Sequence, residues 1–172
     1  QCPEAAKITY LGLFALQHRG EEAAGICTAD CKKLYVHKKQ GLVGDVFNEK
    51  VMETLPGKMA IGHTRYSTTG SSTVINAQPY NVTYSRGQIA VAHNGNLVNA
   101  LKLRKELEEH GSIFSTTMDS EIFVHLIAKP AYKNAEEAIL ASLKRVEGAY
   151  SMVILTENQL FAMRDPHGFR PL

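Results

Sequence analysis

The chain has 172 residues, of which 44% are hydrophobic and 21% are charged, and its net charge is +2. These values are typical of a single globular domain with a buried core. They exclude a strongly basic nucleic-acid-binding protein, and no apolar stretch is long enough to span a membrane. The three cysteines, Cys2, Cys27 and Cys31, are odd in number, which argues against a closed disulfide framework and favours a reducing, cytoplasmic setting.

Hydrophobic periodicity and turn residues divide the chain into a mixed first half and a more helical second half. The predicted helices cover residues 3–18, 97–110, 119–129 and 135–146, and the predicted strands cover 24–28, 33–37, 59–63, 89–93, 149–156 and 159–164. In the first helix, Ile8, Leu11 and Ala15 share one apolar face. Residues 68–84 are rich in Ser, Thr, Gly and Asn, a composition that predicts a loop. Short strands in near-adjacent pairs favour an α+β fold with antiparallel sheets.

Two of the predicted strands end in a run of polar residues and glycine. The strand at 59–63 leads into the sequence HTRYSTTG, and the strand at 89–93 leads into HNGN. Polar side chains at the ends of rigid strands commonly project into clefts. The planar guanidinium of Arg65 is suited to bind a carboxylate at two points, with the Thr68 hydroxyl as a further donor. A surface ion pair explains Arg65 equally well when that residue is considered alone.

The pair Asn94-Gly95 lies in the second of these runs and allows two interpretations. In an oxyanion hole, the side-chain amide of Asn94 and the backbone N–H of Gly95 would both donate to a developing negative charge. In a turn, the same pair would need no catalytic function, because Asn-Gly is a common turn sequence. Spacing alone favours the turn.

Asp119 opens a predicted helix, and this position also allows two functions. Its carboxylate is suited to cap the helix or to accept hydrogen bonds from a ligand ammonium group. A box-type cap is absent, because Ile122 stands where Glu or Gln is needed.

The candidate metal ligands are His63, His93, Asp119 and Glu121. No two histidines have a short ligand spacing such as H-x-H or H-E-x-x-H. Cys27 and Cys31 are separated by three residues and lack a second ligand pair. The sequence therefore predicts no metal site.

Five motifs together resemble a known enzyme family. They are QHRG (17–20), HTRYST (63–68), HNGNLVNA (93–100), DSE (119–121) and RDPHGFRPL (164–172). In this order they resemble the amidophosphoribosyltransferases across essentially the whole chain. Tyr66, the continuation Asn-Leu-Val-Asn and the closing Arg-Pro-Leu resemble this family more than the related glucosamine-6-phosphate synthase and asparagine synthetase.

The resemblance implies an α+β fold of the N-terminal-nucleophile hydrolase type, a four-layer sandwich in which two antiparallel sheets lie between helical layers. It implies that residues 1–172 form the glutamine amidotransferase domain. The implied site has Arg65 and Thr68 at the glutamine carboxylate, Asp119 at its amino group, Tyr66 among the substrate-binding residues, Asn94 and Gly95 as the oxyanion hole, and Arg19 and Gly20 beside the nucleophile.

In this family an N-terminal cysteine attacks the glutamine amide and its own α-amino group, with a pKa of roughly 8, acts as the base. That cysteine belongs to a Cys-Gly-Ile/Val-Phe-Gly segment, which is expected to precede Gln1. Cys2 is not expected to replace it, because Pro3 follows where the family has Gly and Gln1 blocks the Cys2 amine. The 172 residues alone are therefore expected to lack glutaminase activity.

The reaction implied for the whole enzyme is hydrolysis of glutamine and transfer of the ammonia to 5-phosphoribosyl-1-pyrophosphate. The product is 5-phosphoribosylamine, in the first committed step of purine biosynthesis. The implied partners are a phosphoribosyltransferase domain of the same polypeptide, where magnesium is expected, and further copies of the enzyme in a homo-oligomer. No cofactor is expected in the glutaminase domain itself, and the sequence leaves open whether the whole enzyme carries the iron–sulfur cluster that some family members have.

Two other functions stay open at this point. One is a non-catalytic glutamine-binding or regulatory module that has lost its nucleophile. The other is the glutaminase domain of a related amidotransferase such as glucosamine-6-phosphate synthase.

Overall fold

The computed structural model describes residues 2–66 and 74–172, and this part of the chain forms six α-helices and seven β-strands. The helices are α1 (Ala5–Ala15), α2 (Val43–Val46), α3 (Glu49–Glu53), α4 (Ala100–Glu109), α5 (Asp119–Ile127) and α6 (Ala135–Leu143). The strands are β1 (Ala23–Ala29), β2 (Leu34–Gln40), β3 (Met59–Arg65), β4 (Tyr80–Tyr84), β5 (Gly87–Leu97), β6 (Gly148–Thr156) and β7 (Leu160–Arg164). Within these described residues, no helix combines the length and the apolar character that a membrane crossing needs.

The strands form two antiparallel sheets, as predicted. The first sheet has the order β2-β1-β3 and the second has the order β4-β5-β6-β7. In the first sheet, Ala23 of β1 pairs with Arg65 of β3 at one end, and Ala29 pairs with Met59 at the other. This register decides which residues share an end of the sheet, and the functional residues discussed below lie at the Arg65 end.

Three apolar clusters hold the layers together. Small and medium side chains fill the space between the two sheets, namely Cys27, Ala29, Leu34, Ile61, Ala90, Ala92 and Leu155. On the outer side of the first sheet, Leu13 of α1 and Val43 of α2 pack against Ile26 of β1. On the outer side of the second sheet, Leu103 of α4 and Phe123 of α5 belong to the largest cluster. The layers therefore run helix, sheet, sheet, helix, and burial of these side chains supplies the main stabilising free energy.

The apolar face predicted for the first helix is wrong. Ile8 and Leu11 are each 56% exposed, whereas Leu13 is buried. The reason is the surface of β3: Gly62 has no side chain, and an added Cβ there would lie 2.6 Å from Thr9 and 2.9 Å from Leu13. The face of α1 that carries Thr9 and Leu13 therefore packs against β3. Because α1 is apolar on several sides, its periodicity alone did not identify the buried one.

Residues 68–73 of the predicted loop 68–84 lie outside the described residues, and the prediction is wrong for its last five residues, which form β4. Tyr80, Val82 and Tyr84 pack against the second-sheet core, while Asn81 and Thr83 are exposed. This alternation is typical of a strand with one buried and one exposed face, and the polar composition concealed it. The strand predicted at 89–93 is longer in both directions, and it continues through Leu97 along β6.

Candidate active site

A cavity of about 590 Å³ lies where the ends of β3 and β5 meet the loop before α5. Small-molecule sites commonly have volumes of about 300–1,000 Å³, so this cavity is large enough for an amino acid. Its lining includes six of the residues predicted from the sequence, namely Arg19, Arg65, Tyr66, Asn94, Gly95 and Asp119. Thr68, which was also predicted, lies outside the described residues.

Arg65 is the last residue of β3 and is only 8% exposed, although it lines the cavity. Among residues 2–66 and 74–172, no carboxylate forms an ion pair with its guanidinium. Within this part of the chain, Arg65 is therefore not part of a surface ion pair, which was the alternative interpretation of this residue. A buried guanidinium is costly without an anionic partner, so the cavity is electrostatically suited to a ligand carboxylate.

Gly20 lies behind Arg65 rather than on the cavity surface. An added Cβ at Gly20 would lie 2.7 Å from the Arg65 carbonyl carbon and 2.8 Å from the Thr64 carbonyl carbon. The neighbouring backbone makes the same approach, because the Glu22 N–H donates to the Arg65 carbonyl at 3.2 Å. Glycine here lets the turn after α1 press against β3, and this packing brings Arg19 to the cavity.

Asn94 and Gly95 do not form a turn. Both lie inside β5, where Asn94 pairs with Ser151 and Gly95 pairs with Tyr150 of β6. Gly95 has a φ of +144°, and an added Cβ would collide with the Ala149 carbonyl oxygen. Glycine is thus required for the close approach of β6, and Asn94 is left exposed on the cavity wall.

The side chain of Asn94 has one protein partner in the described residues. The Nε2 atom of His63 lies 3.1 Å from the Asn94 Oδ1 atom. Burial lowers the pKa of His63 from 6.5 to about 4, and the nearby His93 and Arg65 add to this effect, so the ring is neutral at physiological pH. A neutral ring that donates from Nε2 to Oδ1 leaves the Asn94 NH₂ group for other acceptors.

Asp119 is the first residue of α5, and its carboxylate reaches across to β5. Its Oδ1 lies 3.2 Å from His93 Nδ1, and its Oδ2 accepts a hydrogen bond of 3.0 Å from the Leu97 N–H. Burial raises the pKa of this carboxyl, but the contacts with His93 and with the backbone N–H groups of Leu97 and Ser120 outweigh burial and hold the pKa below its ordinary value. Asp119 is therefore ionised at neutral pH and gives the cavity a negative charge.

Glu121 anchors the loop that leads to Asp119, a function that sequence reasoning did not assign to it. This carboxylate is 1% exposed. It accepts hydrogen bonds from the backbone and hydroxyl groups of Ser115 and Thr116 and from the Tyr80 hydroxyl, at 2.7 to 2.9 Å. Because five donors converge on it, the loop that ends at Asp119 has a defined path along the cavity.

The closing segment of the chain is shaped by Asp165. This buried carboxylate accepts hydrogen bonds of 3.0 to 3.2 Å from the backbone N–H groups of His167, Phe169 and Arg170. The resulting bend brings Arg170 and Pro171 to the cavity. Sequence reasoning included this segment in a motif but did not assign Arg170 to the site.

None of the three cysteines lines the cavity. The Cys2 N–H donates to the Lys58 carbonyl at 2.7 Å, which places Cys2 at the Met59 end of β3. A seven-residue strand is about 20 Å long, so that end is remote from Arg65. Cys27 lies in the core between the sheets, and burial raises the pKa of its thiol to about 12. Cys31 is exposed in the turn between β1 and β2.

The histidines considered as metal ligands instead hold other side chains of the cavity. His63 contacts Asn94 and His93 contacts Asp119. In the part of the chain that the structure describes, no three His, Cys, Asp or Glu side chains are grouped to hold a metal ion.

Comparison with known proteins identifies the family. The family model for the glutamine amidotransferase domain matches residues 63–172, which is more than half of the chain. The chain belongs to the glutamine amidotransferase domain family. This glutamine amidotransferase domain is 52% identical to amidophosphoribosyltransferase 2, chloroplastic, of Arabidopsis thaliana, over 98% of the domain and 30% of that protein. It is 50% identical to the amidophosphoribosyltransferase of Methanocaldococcus jannaschii, over 97% of the domain and 36% of that protein.

A solved structure has the same fold. The glutamine phosphoribosylpyrophosphate amidotransferase of B. subtilis, complexed with ADP and GMP, superposes with a TM-score of 0.93 and 44% identity, over 99% of this domain and 37% of that chain. This match confirms the predicted N-terminal-nucleophile hydrolase fold. The glutamine amidotransferase domain spans about a third of the length of the relatives that it matches.

Proposed function

We propose that this domain hydrolyses glutamine and supplies the ammonia to 5-phosphoribosyl-1-pyrophosphate, as the glutaminase part of an amidophosphoribosyltransferase. The observation that carries the proposal is the placement of Arg65, Asp119 and Asn94 on one cavity. These side chains offer a cation, an anion and an exposed amide. Glutamine presents a carboxylate, an ammonium group and an amide carbonyl, so each of its polar groups has a matching group in the site.

Binding would use the two charges of the site. The Arg65 guanidinium would hold the α-carboxylate of glutamine, and Thr68 would add a hydroxyl donor. Asp119 would accept hydrogen bonds from the α-ammonium group, since its low pKa keeps it ionised. Arg19 and Tyr66 would complete the substrate site. With the α-carboxylate and the α-ammonium group both held, the side-chain amide of glutamine would extend toward Asn94.

The reaction begins when a cysteine thiolate adds to the amide carbon of bound glutamine. The carbonyl oxygen becomes an oxyanion, and the Asn94 NH₂ group and the Gly95 N–H would donate to it. Collapse of this intermediate breaks the C–N bond, the nitrogen takes a proton and leaves as ammonia, and a thioester forms. Water then hydrolyses the thioester to glutamate and restores the thiol.

The nucleophile proposed for this step is an N-terminal cysteine that precedes Gln1 in the complete protein. The positions of Cys2, Cys27 and Cys31, all away from the cavity, support this proposal. An N-terminal cysteine would also bring its own base, the α-amine.

The ammonia acceptor and the other partners belong to the same proposal. A phosphoribosyltransferase domain of the same polypeptide would bind magnesium and the phosphoribosyl pyrophosphate, and would form 5-phosphoribosylamine for purine biosynthesis. The names of the relatives and their greater length support such a domain. We also propose a homo-oligomeric enzyme in the cytoplasm. The free state of all three cysteines supports a reducing compartment, and cell fractionation of the tagged protein tests it.

The decisive experiment measures glutamate release and product formation by the complete protein. We expect glutamate release that increases with phosphoribosyl pyrophosphate, together with formation of phosphoribosylamine. Glutamine binding without glutamate release would favour the non-catalytic module. Glutamate release coupled to a hexose phosphate, without use of phosphoribosyl pyrophosphate, would favour the related synthase.

A further inference from the structure

Asn94 is reached by a histidine from the opposite sheet. His63 lies on β3 of the first sheet and Asn94 lies on β5 of the second, yet the His63 Nε2 and Asn94 Oδ1 atoms are 3.1 Å apart. The histidine is 8% exposed, whereas the asparagine is exposed in the cavity. A buried ring carried by a strand therefore contacts the oxygen end of the side-chain amide of a residue that lines the cavity.

We propose that His63 is a positioning residue, whose Nε2–H donates to Asn94 Oδ1 and thereby directs the Asn94 NH₂ group toward the cavity. This inference rests on the proposed glutaminase function. It adds a reason why the amide presents its donor end, rather than its acceptor end, to the reacting carbonyl.

The side-chain amide of Asn94 can occupy its place in two orientations. The two ends of the Asn94 side chain have nearly the same size, but one end only accepts hydrogen bonds and the other only donates them. A donor at His63 Nε2 pairs with the oxygen end alone. If Nε2 instead lacked its proton, it would pair with the NH₂ end, and the oxygen of Asn94 would face the cavity. An oxygen in that position would repel an oxyanion instead of stabilising it.

The surroundings of His63 are consistent with a single protonated ring nitrogen. In the described residues, its Nδ1 atom is buried and has no hydrogen-bond partner. A proton on Nδ1 would leave that buried N–H without a hydrogen-bond partner, and it would also set the unprotonated Nε2 3.1 Å from Asn94 Oδ1, so that two acceptors would face each other. Burial also lowers the pKa of the ring to about 4, so the doubly protonated form is absent at neutral pH. The neutral ring with its proton on Nε2 pairs that proton with Asn94 Oδ1 and leaves only the Nδ1 lone pair without a partner.

The test uses the complete protein and three variants at this contact. His63→Leu removes the hydrogen-bond donor to Asn94, and we expect kcat for glutamate release to fall by about tenfold or more. A disordered oxyanion donor should cause part of the roughly hundredfold loss that follows when the donor is removed. The KM for glutamine is expected to change little. His63→Gln keeps an N–H donor near the position of Nε2 and is expected to retain more of kcat than His63→Leu. His37→Leu, at a partly buried histidine beside Phe47 and outside the cavity, serves as the matched control.

Two results separate positioning from a general structural effect. If His63 acts through Asn94, His63→Leu should have no further effect on kcat in an Asn94→Ala background. An equal loss of kcat in both backgrounds would overturn the proposal. Ring ¹⁵N chemical shifts of histidine-labelled protein should report a proton on His63 Nε2, and a proton on Nδ1 would also overturn it. The shifts do not depend on turnover, so an inactive parent protein would count against the proposed function separately.

Discussion

The His93 Nδ1 atom lies 3.2 Å from the Asp119 Oδ1 atom, and this contact joins β5 to the first turn of α5. His93 directly precedes Asn94, so the same stretch of backbone carries the residue proposed as oxyanion donor and holds the carboxylate proposed to bind the substrate ammonium group. The Leu97 N–H, further along the same strand, donates to the other Asp119 oxygen at 3.0 Å. Two parts of the proposed substrate site are therefore fixed relative to one another by a single strand.

Asp119→Asn tests the proposed binding site for the substrate ammonium group. The substitution keeps the size of the side chain and removes its negative charge, so we expect the KM for glutamine to rise by about tenfold or more, because a hydrogen bond to a charged group contributes about 1.5–3 kcal/mol. Steady-state glutamate release by the complete protein measures the effect. Asp45→Asn, at an exposed position of α2, is the control. An unchanged KM in a folded Asp119→Asn variant would contradict the assignment.

Arg65→Lys tests the carboxylate site. Lysine keeps the charge but loses the planar fork, so we expect kcat/KM for glutamine to fall by about tenfold or more. Synthesis from added ammonia bypasses this pocket and should change little. The comparison of the two activities is the measurement, with Arg145→Lys as a control at an arginine that pairs with Glu106 outside the cavity. Equal losses of both activities would mean that Arg65 is structural.

Asn94→Asp tests the proposed oxyanion donor. The carboxylate offers no N–H and repels the negative charge that grows as the thiolate adds, so we expect kcat to fall by roughly a hundredfold or more, as for Asn94→Ala. The KM for glutamine should change little. Because Asn94 lies within β5, a turn preference for Asp provides no compensation. Near-normal turnover by a folded Asp variant, with its melting temperature checked, would remove Asn94 from the mechanism.

Cys2→Ser tests the position of the nucleophile. Cys2 lies at the Met59 end of β3, remote from Arg65, so we expect the complete protein to keep its full rate of glutamate release. We also expect the 172 residues alone to release no glutamate. Clear turnover by the 172-residue protein that disappears in Cys2→Ser would show that the nucleophile has been assigned wrongly.

Acid pH should weaken the loop that Glu121 holds. Although burial raises the pKa of this carboxyl, the hydrogen bonds from Ser115, Thr116 and Tyr80 outweigh it and lower the pKa below 4.5. A carboxyl with a lowered folded-state pKa stabilises the fold above its unfolded pKa, and that contribution disappears as pH falls through the folded value. Glu121→Gln should therefore lower the free energy of unfolding at pH 7, by about 1–3 kcal/mol, and by less below pH 4.5. Urea unfolding from pH 7 to pH 3 measures the difference, and a difference that is independent of pH would contradict the linkage.

Much of the fold could be predicted from local sequence patterns, because in the second half of the chain the hydrophobic pattern of each strand and helix agrees with the face that the fold buries. The bounds of β6 and β7, for example, were predicted to within one residue at each end. The errors occurred where local signals were ambiguous. The first helix is apolar on several sides, and only the glycine surface of β3 selects Leu13 over Leu11. Likewise, β4 is polar on its exposed face, and it was identified only through its pairing with β5.

The sequence by itself determined the α+β class, the family and the chemical groups of the site, because ordered motifs and residue types are properties of the chain. Only the tertiary structure decided what those groups contact. It placed Asn94-Gly95 inside a strand instead of a turn, and it joined His63 to Asn94 although 31 positions separate them in the chain. The physical reason is that such contacts depend on the register of each sheet and on the packing of the two sheets face to face. Neither the register of a sheet nor the packing of two sheets can be read from the few residues on either side of a motif.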